Sequence, residues 1–155
     1  MEFNTEQNIA YNKAALLCSR SEKCTAEIQE KLQLWGLSGD ESEPVIEKLI
    51  DEKYIDDERY ARAYVKDKFR FNRWGKQKIA YMLRAKKIPE EIINRALDEI
   101  EDLGYSEKLI KLLEDKAHSI KAQNAFDKRS KLMHFALSRG FESGEIYKAL
   151  KEMGI

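Results

Sequence analysis

Apolar side chains recur every three to four residues along most of this chain, and short polar or Gly/Pro breaks cut the pattern into segments of helical length. The first such segment covers residues 9–18. Thr25 is a fair N-cap for a second helix, which carries Ile28, Leu32 and Trp35 inward and stops at Gly36. The acidic stretch 38–44, ending in Pro44, reads as a loop before a third helix marked by Val45, Ile46, Leu49 and Ile50. That closes one helical triplet near Tyr54.

The same order of signals returns twice. Asp56 reads as an N-cap with Asp57 and Glu58 in the first turn, where the helix dipole favours acids. Ile55 and Tyr60 then occupy the ends of a hydrophobic staple. Gly75 starts the next helix, with Ile79, Met82 and Leu83 inward, and Ile88-Pro89 leads into a third bearing Ile92, Ile93, Ala96, Leu97 and Ile100. About 50 residues later, Tyr105, Ser106 and Ile110 take the places of Ile55, Asp56 and Tyr60. A polar connection around Gln123-Asn124, a helix with Leu132, Phe135 and Ala136, the Gly140-Phe141 turn and a helix with Ile146, Ala149 and Leu150 complete the chain. Ile88 and Phe141 each precede an Ile and then an Ala-Leu pair at matching offsets. The first triplet fits that register if its loop is four residues longer. The expectation is an all-α fold, an elongated array of three tandem three-helix (helix-turn-helix-like) repeats over residues 1–54, 55–104 and 105–155.

Composition agrees with helices, because 155 residues contain only seven Gly and two Pro. No apolar run approaches the roughly 18 residues of a membrane span, and the N-terminus lacks the basic-then-apolar pattern of a signal peptide. A soluble, cytoplasmic protein is expected. Cys18 and Cys24 match no zinc spacing and read as reduced and structural, so no metal site and no cofactor are expected. His118 and His134 fall in different segments with no partner spacing that builds a catalytic site, and capping accounts for Asp56-Asp57. No phosphate-binding Gly-rich loop is present. These readings exclude an enzyme.

Charge changes the picture. The formal net charge is zero, yet residues 66–87 hold nine Lys or Arg against the single acid Asp67, a local excess of +8 over 22 residues. Arg59, Arg62, Lys66, Arg70 and Arg73 follow at helical intervals as one stripe, opposite a face with Tyr60, Ala61, Tyr64, Val65 and the stem of Lys68. Lys76, Lys78, Arg84 and Lys87 continue the excess on the next helix, with Phe69, Phe71, Trp74 and Tyr81 interleaved. This combination points to a polyanion or an acidic partner. Trp74 has two readings, a stack against a base or a wedge at the helix junction. Arg139, beside Gly140-Phe141, also has two: a second contact, or a cap on helix carbonyls.

Four segments, SRSEKCTAEIQEKL, YIDDERYARAYV, WGKQKIAYMLRAKKI and SRGFESGEIYKAL, resemble in order and spacing the RecX family of regulators of the RecA recombinase. The resemblance implies a crescent-like chain that lodges in the groove of the RecA–single-stranded DNA filament. It implies inhibition of filament growth, ATP hydrolysis and strand exchange, with no catalytic activity or cofactor. Two positions depart from the family pattern, which usually has Gly where Lys87 and Lys53 stand. A monomer is expected, contacting the RecA filament, single strands and, weakly and salt-sensitively, duplex DNA. Two other readings stand: a helix-turn-helix-like duplex DNA regulator presenting Gln77, Tyr81 and Arg84, and a scaffold with no nucleic-acid binding.

Overall fold

The computed structural model describes residues 2–155, and among them nine α-helices form three triplets. The first holds α1 (Thr5–Arg20), α2 (Thr25–Leu34) and α3 (Gly39–Asp51). The second holds α4 (Asp57–Arg70), α5 (Lys76–Ala85) and α6 (Glu90–Asp98), and the third α7 (Tyr105–Ala117), α8 (Ala125–Ser138) and α9 (Ser143–Glu152). A single 3-10 turn, Glu101–Leu103, precedes α7. No described helix is long and apolar enough to cross a membrane.

Each triplet turns from its second to its third helix in the same way. The connectors 35–38, 86–89 and 139–142 are equal in length. In each, one residue takes the left-handed conformation (Gly36 at φ 93°, Lys87 at φ 61°, Gly140 at φ 93°) and the next side chain (Leu37, Ile88, Phe141) is buried. The amides of Leu37, Ile88 and Phe141 reach back to the carbonyls of Leu32, Leu83 and Ala136 at 3.1, 3.1 and 3.2 Å, the bond that seals a helix C-terminus. The longer first loop expected from sequence is therefore absent. Residues 39–44 are helical because Ser38 and Glu41 form a reciprocal capping box, Ser38 Oγ accepting from the Glu41 amide at 3.2 Å and Glu41 Oε1 from the Ser38 amide at 3.1 Å. Pro44 lies in the second turn of α3, where the partner it withholds is that of the Asp40 carbonyl, on an exposed residue.

Three smaller expectations also shift. Cys24, not Thr25, precedes α2 as its N-cap. Gly104, at φ 77°, precedes α7, so Ser106 lies inside the helix and caps nothing. Asp56 does cap α4, its Oδ1 accepting from the Arg59 amide at 3.0 Å, but Ile55 and Tyr60 do not close a staple. Ile55 joins the core of the first triplet, whereas Tyr60 belongs to the core shared by the second and third.

Lys87 and Lys53 (φ 65°) hold left-handed positions that strain a side chain. Lys87→Gly is expected to raise stability by about 0.5–1 kcal/mol, the relief of strain exceeding the extra chain entropy of Gly. Urea titration checks it: the midpoint should rise with no change in slope.

The two joints between triplets are built differently. At the first, Asp57 Oδ1 accepts from the Thr25 amide (2.8 Å) and hydroxyl (3.2 Å), Arg59 pairs with Glu22 and Lys86 with Glu27. Cys24 is fully buried there, and burial pushes its thiol up to about 11, so it stays protonated and inert near neutral pH. The second joint is apolar and close. Phe69, Tyr105 and Phe141 stack in series with ring centroids 5.7 and 5.3 Å apart. The Gly75 and Gln77 amides donate to the Arg139 and Gly140 carbonyls at 2.7 and 2.9 Å. The Tyr105 hydroxyl accepts from the Lys76 amide at 2.9 Å and donates to Glu142 at 2.5 Å. Burial, then the Glu142 carboxylate, hold that phenol far above its ordinary titration range.

In the first two triplets, then, the middle helix receives hydrogen-bond partners at its N-terminus from the following triplet. In the third, Asn124 Oδ1 accepts from the Asp127 amide at 2.8 Å, and α8 caps itself. Among the described residues, no hydrogen bond or ion pair joins the first triplet to the third. The order is linear.

Candidate nucleic-acid interface

The cations of the second triplet and of its joint with the third fall into two sets, distinguished by what holds them. Along α4, Val65 and Ala61 face the core, which places Arg59, Arg62, Lys66 and Arg70 on one flank of the helix. Arg73 does not extend this stripe. The helix ends at Arg70, and Arg73 takes the left-handed conformation (φ 56°) as the chain turns back toward Gly75. Its guanidinium instead pairs with Asp115 of α7 at 2.9 Å.

Several stripe members are similarly neutralised. Arg59 Nε lies 2.5 Å from Glu22, and its guanidinium also donates to the Lys53 carbonyl at 3.1 Å, so it belongs to the first joint. Lys66 Nζ lies 3.5 Å from Glu99 Oε2 as an ion pair, and that buried oxygen makes no hydrogen bond. Lys76 pairs with Glu101 and Arg84 with Glu90. Partly exposed pairs of this kind contribute only about 0–1 kcal/mol and can exchange partners, but each cancels the field of its cation at a distance. Arg62, Arg70 and Lys87 are exposed and have no acid partner among the described residues.

The second set rests on aromatic rings. Lys68 Nζ lies 5.3 Å from the centroid of Tyr64 and 5.2 Å from that of Trp74, and Lys78 Nζ lies 4.6 Å from Trp74. Across the second joint, the Arg139 guanidinium is 5.0 Å and Lys116 Nζ 4.8 Å from Phe135. None of these four cations has an acid partner among the described residues. A ring holds an ammonium by about 0.5–1 kcal/mol at an exposed site and leaves its charge intact. These four cations are thus positioned without being neutralised, unlike Lys76, which lies over Tyr105 but is also paired with Glu101.

The second joint brings part of this set together. The bond from the Gln77 amide to the Gly140 carbonyl, with Gly140 against the Lys78 backbone, sets Lys78 beside Arg139. Trp74 is half-buried and packs on the shared core, as a wedge would, while carrying two lysines. Arg139 makes no side-chain hydrogen bond to the α8 carbonyls and lies on Phe135 instead. Of the residues singled out from sequence, Trp74, Lys78 and Arg139 converge here, Arg62 and Arg70 lie along α4, and Arg59, Arg73, Lys76 and Arg84 are tied to acids. Sequence reasoning passed over Lys68 and Lys116. For Lys68 a signal was present, since Tyr64 sits one turn before it.

Three family descriptions match the chain in order: RecX, first three-helix domain, over residues 10–49; second, over 56–97; and third, over 105–150. The chain belongs to the RecX family. Relatives named Regulatory protein RecX include that of Clostridium acetobutylicum, 34% identical over 96% of this chain and 71% of its own length. That of Pelodictyon phaeoclathratiforme is 33% identical over 81% and 76%. The chain spans 62% of the length of the Clostridium perfringens strain 13 relative, at 30% identity. The crystal structure of RecX from Lactobacillus salivarius superposes with a TM-score of 0.87 at 27% identity, covering 96% of this chain and 97% of that one. A second RecX crystal structure gives 0.86 at 26% identity. The RecX fold and its three tandem three-helix units therefore describe this chain.

Proposed function

We propose that this RecX-family chain is a non-catalytic inhibitor of the RecA recombinase, seated along the groove of the RecA–single-stranded DNA filament and blocking filament growth and activity. The observation that carries the reading is a group of un-neutralised cations on aromatic rings around the second joint, Lys68, Lys78, Lys116 and Arg139, spread over two triplets that share one core. A nucleoprotein filament offers phosphate and acidic protein surface repeatedly along its length. A linear array touches several such sites at once, and weak contacts then add through effective concentration. Family membership supports the link to RecA, and the relatives' shared name supports a regulatory role.

The duplex-regulator reading meets a specific obstacle. A recognition helix enters a groove with its N-terminal residues. In α5 the amides at the N-terminus are held by the Arg139 and Gly140 carbonyls and by the Tyr105 hydroxyl, which seats the backbone of that end against the third triplet. Gln77, Tyr81 and Arg84 are exposed on α5, yet the backbone that would lead them in is already bonded to protein.

The deciding experiment is ATP hydrolysis by the cognate RecA on single-stranded DNA, with increasing amounts of this protein. Inhibition at substoichiometric ratios is expected. Unchanged hydrolysis at saturating protein would overturn the reading, and selection of one duplex over random duplexes would then favour the alternative.

A further inference from the structure

The chain contains two phenylalanines two positions apart that meet opposite fates. Phe69 is 1% exposed and stacks on Tyr105, whereas Phe71, the residue that ends α4, is 79% exposed. Nothing in the fold requires an aromatic there. Its backbone is ordinary right-handed (φ −97°), and its structural role, an amide donated to the Asp67 carbonyl at 2.9 Å, is open to any residue but proline. Exposing so large an apolar side chain brings the free protein no packing.

Its surroundings indicate what would cover it. Arg70 and Asn72 on either side are exposed, and Arg70, like Arg62 two turns earlier, has no acid partner among the described residues. An anchor for a protein partner would sit in an apolar patch. Of the other large apolar residues that are mostly exposed, Leu34 and Phe126 belong to the first and third triplets and Tyr81 lies on α5, so Phe71 is the one fully exposed ring of the α4–α5 connector, among cations. An exposed ring beside unpaired arginines is the arrangement by which proteins hold single-stranded nucleic acid: cations track the phosphates and a base stacks on the ring.

We propose that Phe71 is the base-stacking residue of the strand contact, with Arg70 on the neighbouring phosphate. It makes the surface prefer unpaired strands, because a duplex keeps its bases stacked inside. This inference rests on the nucleic-acid part of the proposed function and adds to it a specificity-determining residue.

The test uses the full chain, its Phe71→Ala and Phe71→Trp variants, and three labelled probes at one salt concentration: a thymidine homopolymer, an abasic strand of equal length, and a duplex. Phe71→Ala should bind the homopolymer roughly 5- to 100-fold more weakly. It should leave the abasic strand and duplex unaffected, and Phe71→Trp should restore binding. The melting temperature should move little, since the side chain is mostly exposed. Equal affinity of Phe71→Ala and the native chain for the homopolymer overturns the stacking role while leaving the phosphate contacts standing. An equal loss on the abasic strand does the same, and points instead to a contact with the sugar-phosphate backbone. If the native chain itself shows no salt-sensitive strand binding, the nucleic-acid part of the proposed function falls and takes this inference with it.

Discussion

Gly140→Ala is expected to open the joint between the second and third triplets and to lower the melting temperature by about 10 °C, equivalent to about 3 kcal/mol. A Cβ at Gly140 would overlap Lys78 Cβ and stand 2.5 Å from the Lys78 amide nitrogen, both fixed by α5. The left-handed backbone adds about 1 kcal/mol for any other residue. Gly36→Ala separates these two contributions. It holds the same place in the first triplet at the same φ of 93°, with nothing within 4 Å of an added Cβ. That variant should lose only the conformational part, about 1 kcal/mol. Calorimetry on the pair is the check, and a Gly140→Ala protein melting no earlier than Gly36→Ala would show that the joint yields without loss.

The second large effect concerns the ring-held cations. Lys68→Ala/Lys78→Ala should weaken single-strand binding at least about tenfold at low salt. It should also flatten the dependence of log affinity on log salt by about 1.4, near 0.7 for each phosphate no longer neutralised. Lys76→Ala/Arg84→Ala removes the same formal charge, but both side chains already face carboxylates, Glu101 and Glu90. This second pair should change affinity and slope much less, and neither double variant should shift stability by more than about 1 kcal/mol. Fluorescence anisotropy across a salt series measures both. Equal effects from the two pairs would mean that net charge, not the mode of holding it, governs the contact.

What could be read in the sequence was local or periodic. The helical periodicity, the Asp56 cap, the Gly75 start and the turns at Ile88 and Phe141 all follow from neighbouring residues and reappear in the structure. The start of α3 was legible too, because Ser38-Gly-Asp-Glu41 is a capping box, but Pro44 and the run of acids outweighed it in a reading by composition. The start of α7 and the exit of Arg73 from the α4 stripe were not, since each depends on a left-handed residue (Gly104, and Arg73 itself) whose conformation tertiary packing decides. The candidate site shows the same division. A stripe along one helix can be counted off at intervals, so Arg62 and Arg70 were accessible. Whether a cation faces an acid or a ring depends on partners far along the chain, as with Arg73 and Asp115 or Lys116 and Phe135. The division of the cations into cancelled and un-cancelled sets is therefore a property of the fold.

The self-capped start of α8 bears on how like units in an array differ by their place in it. In the first two units the middle helix takes hydrogen-bond partners at its start from its successor, so each is a sentence that the next unit ends. Asn124 supplies from within what Asp57 and the Arg139–Gly140 turn supply from outside. Punctuated by one short side chain, the third unit is a sentence that closes itself.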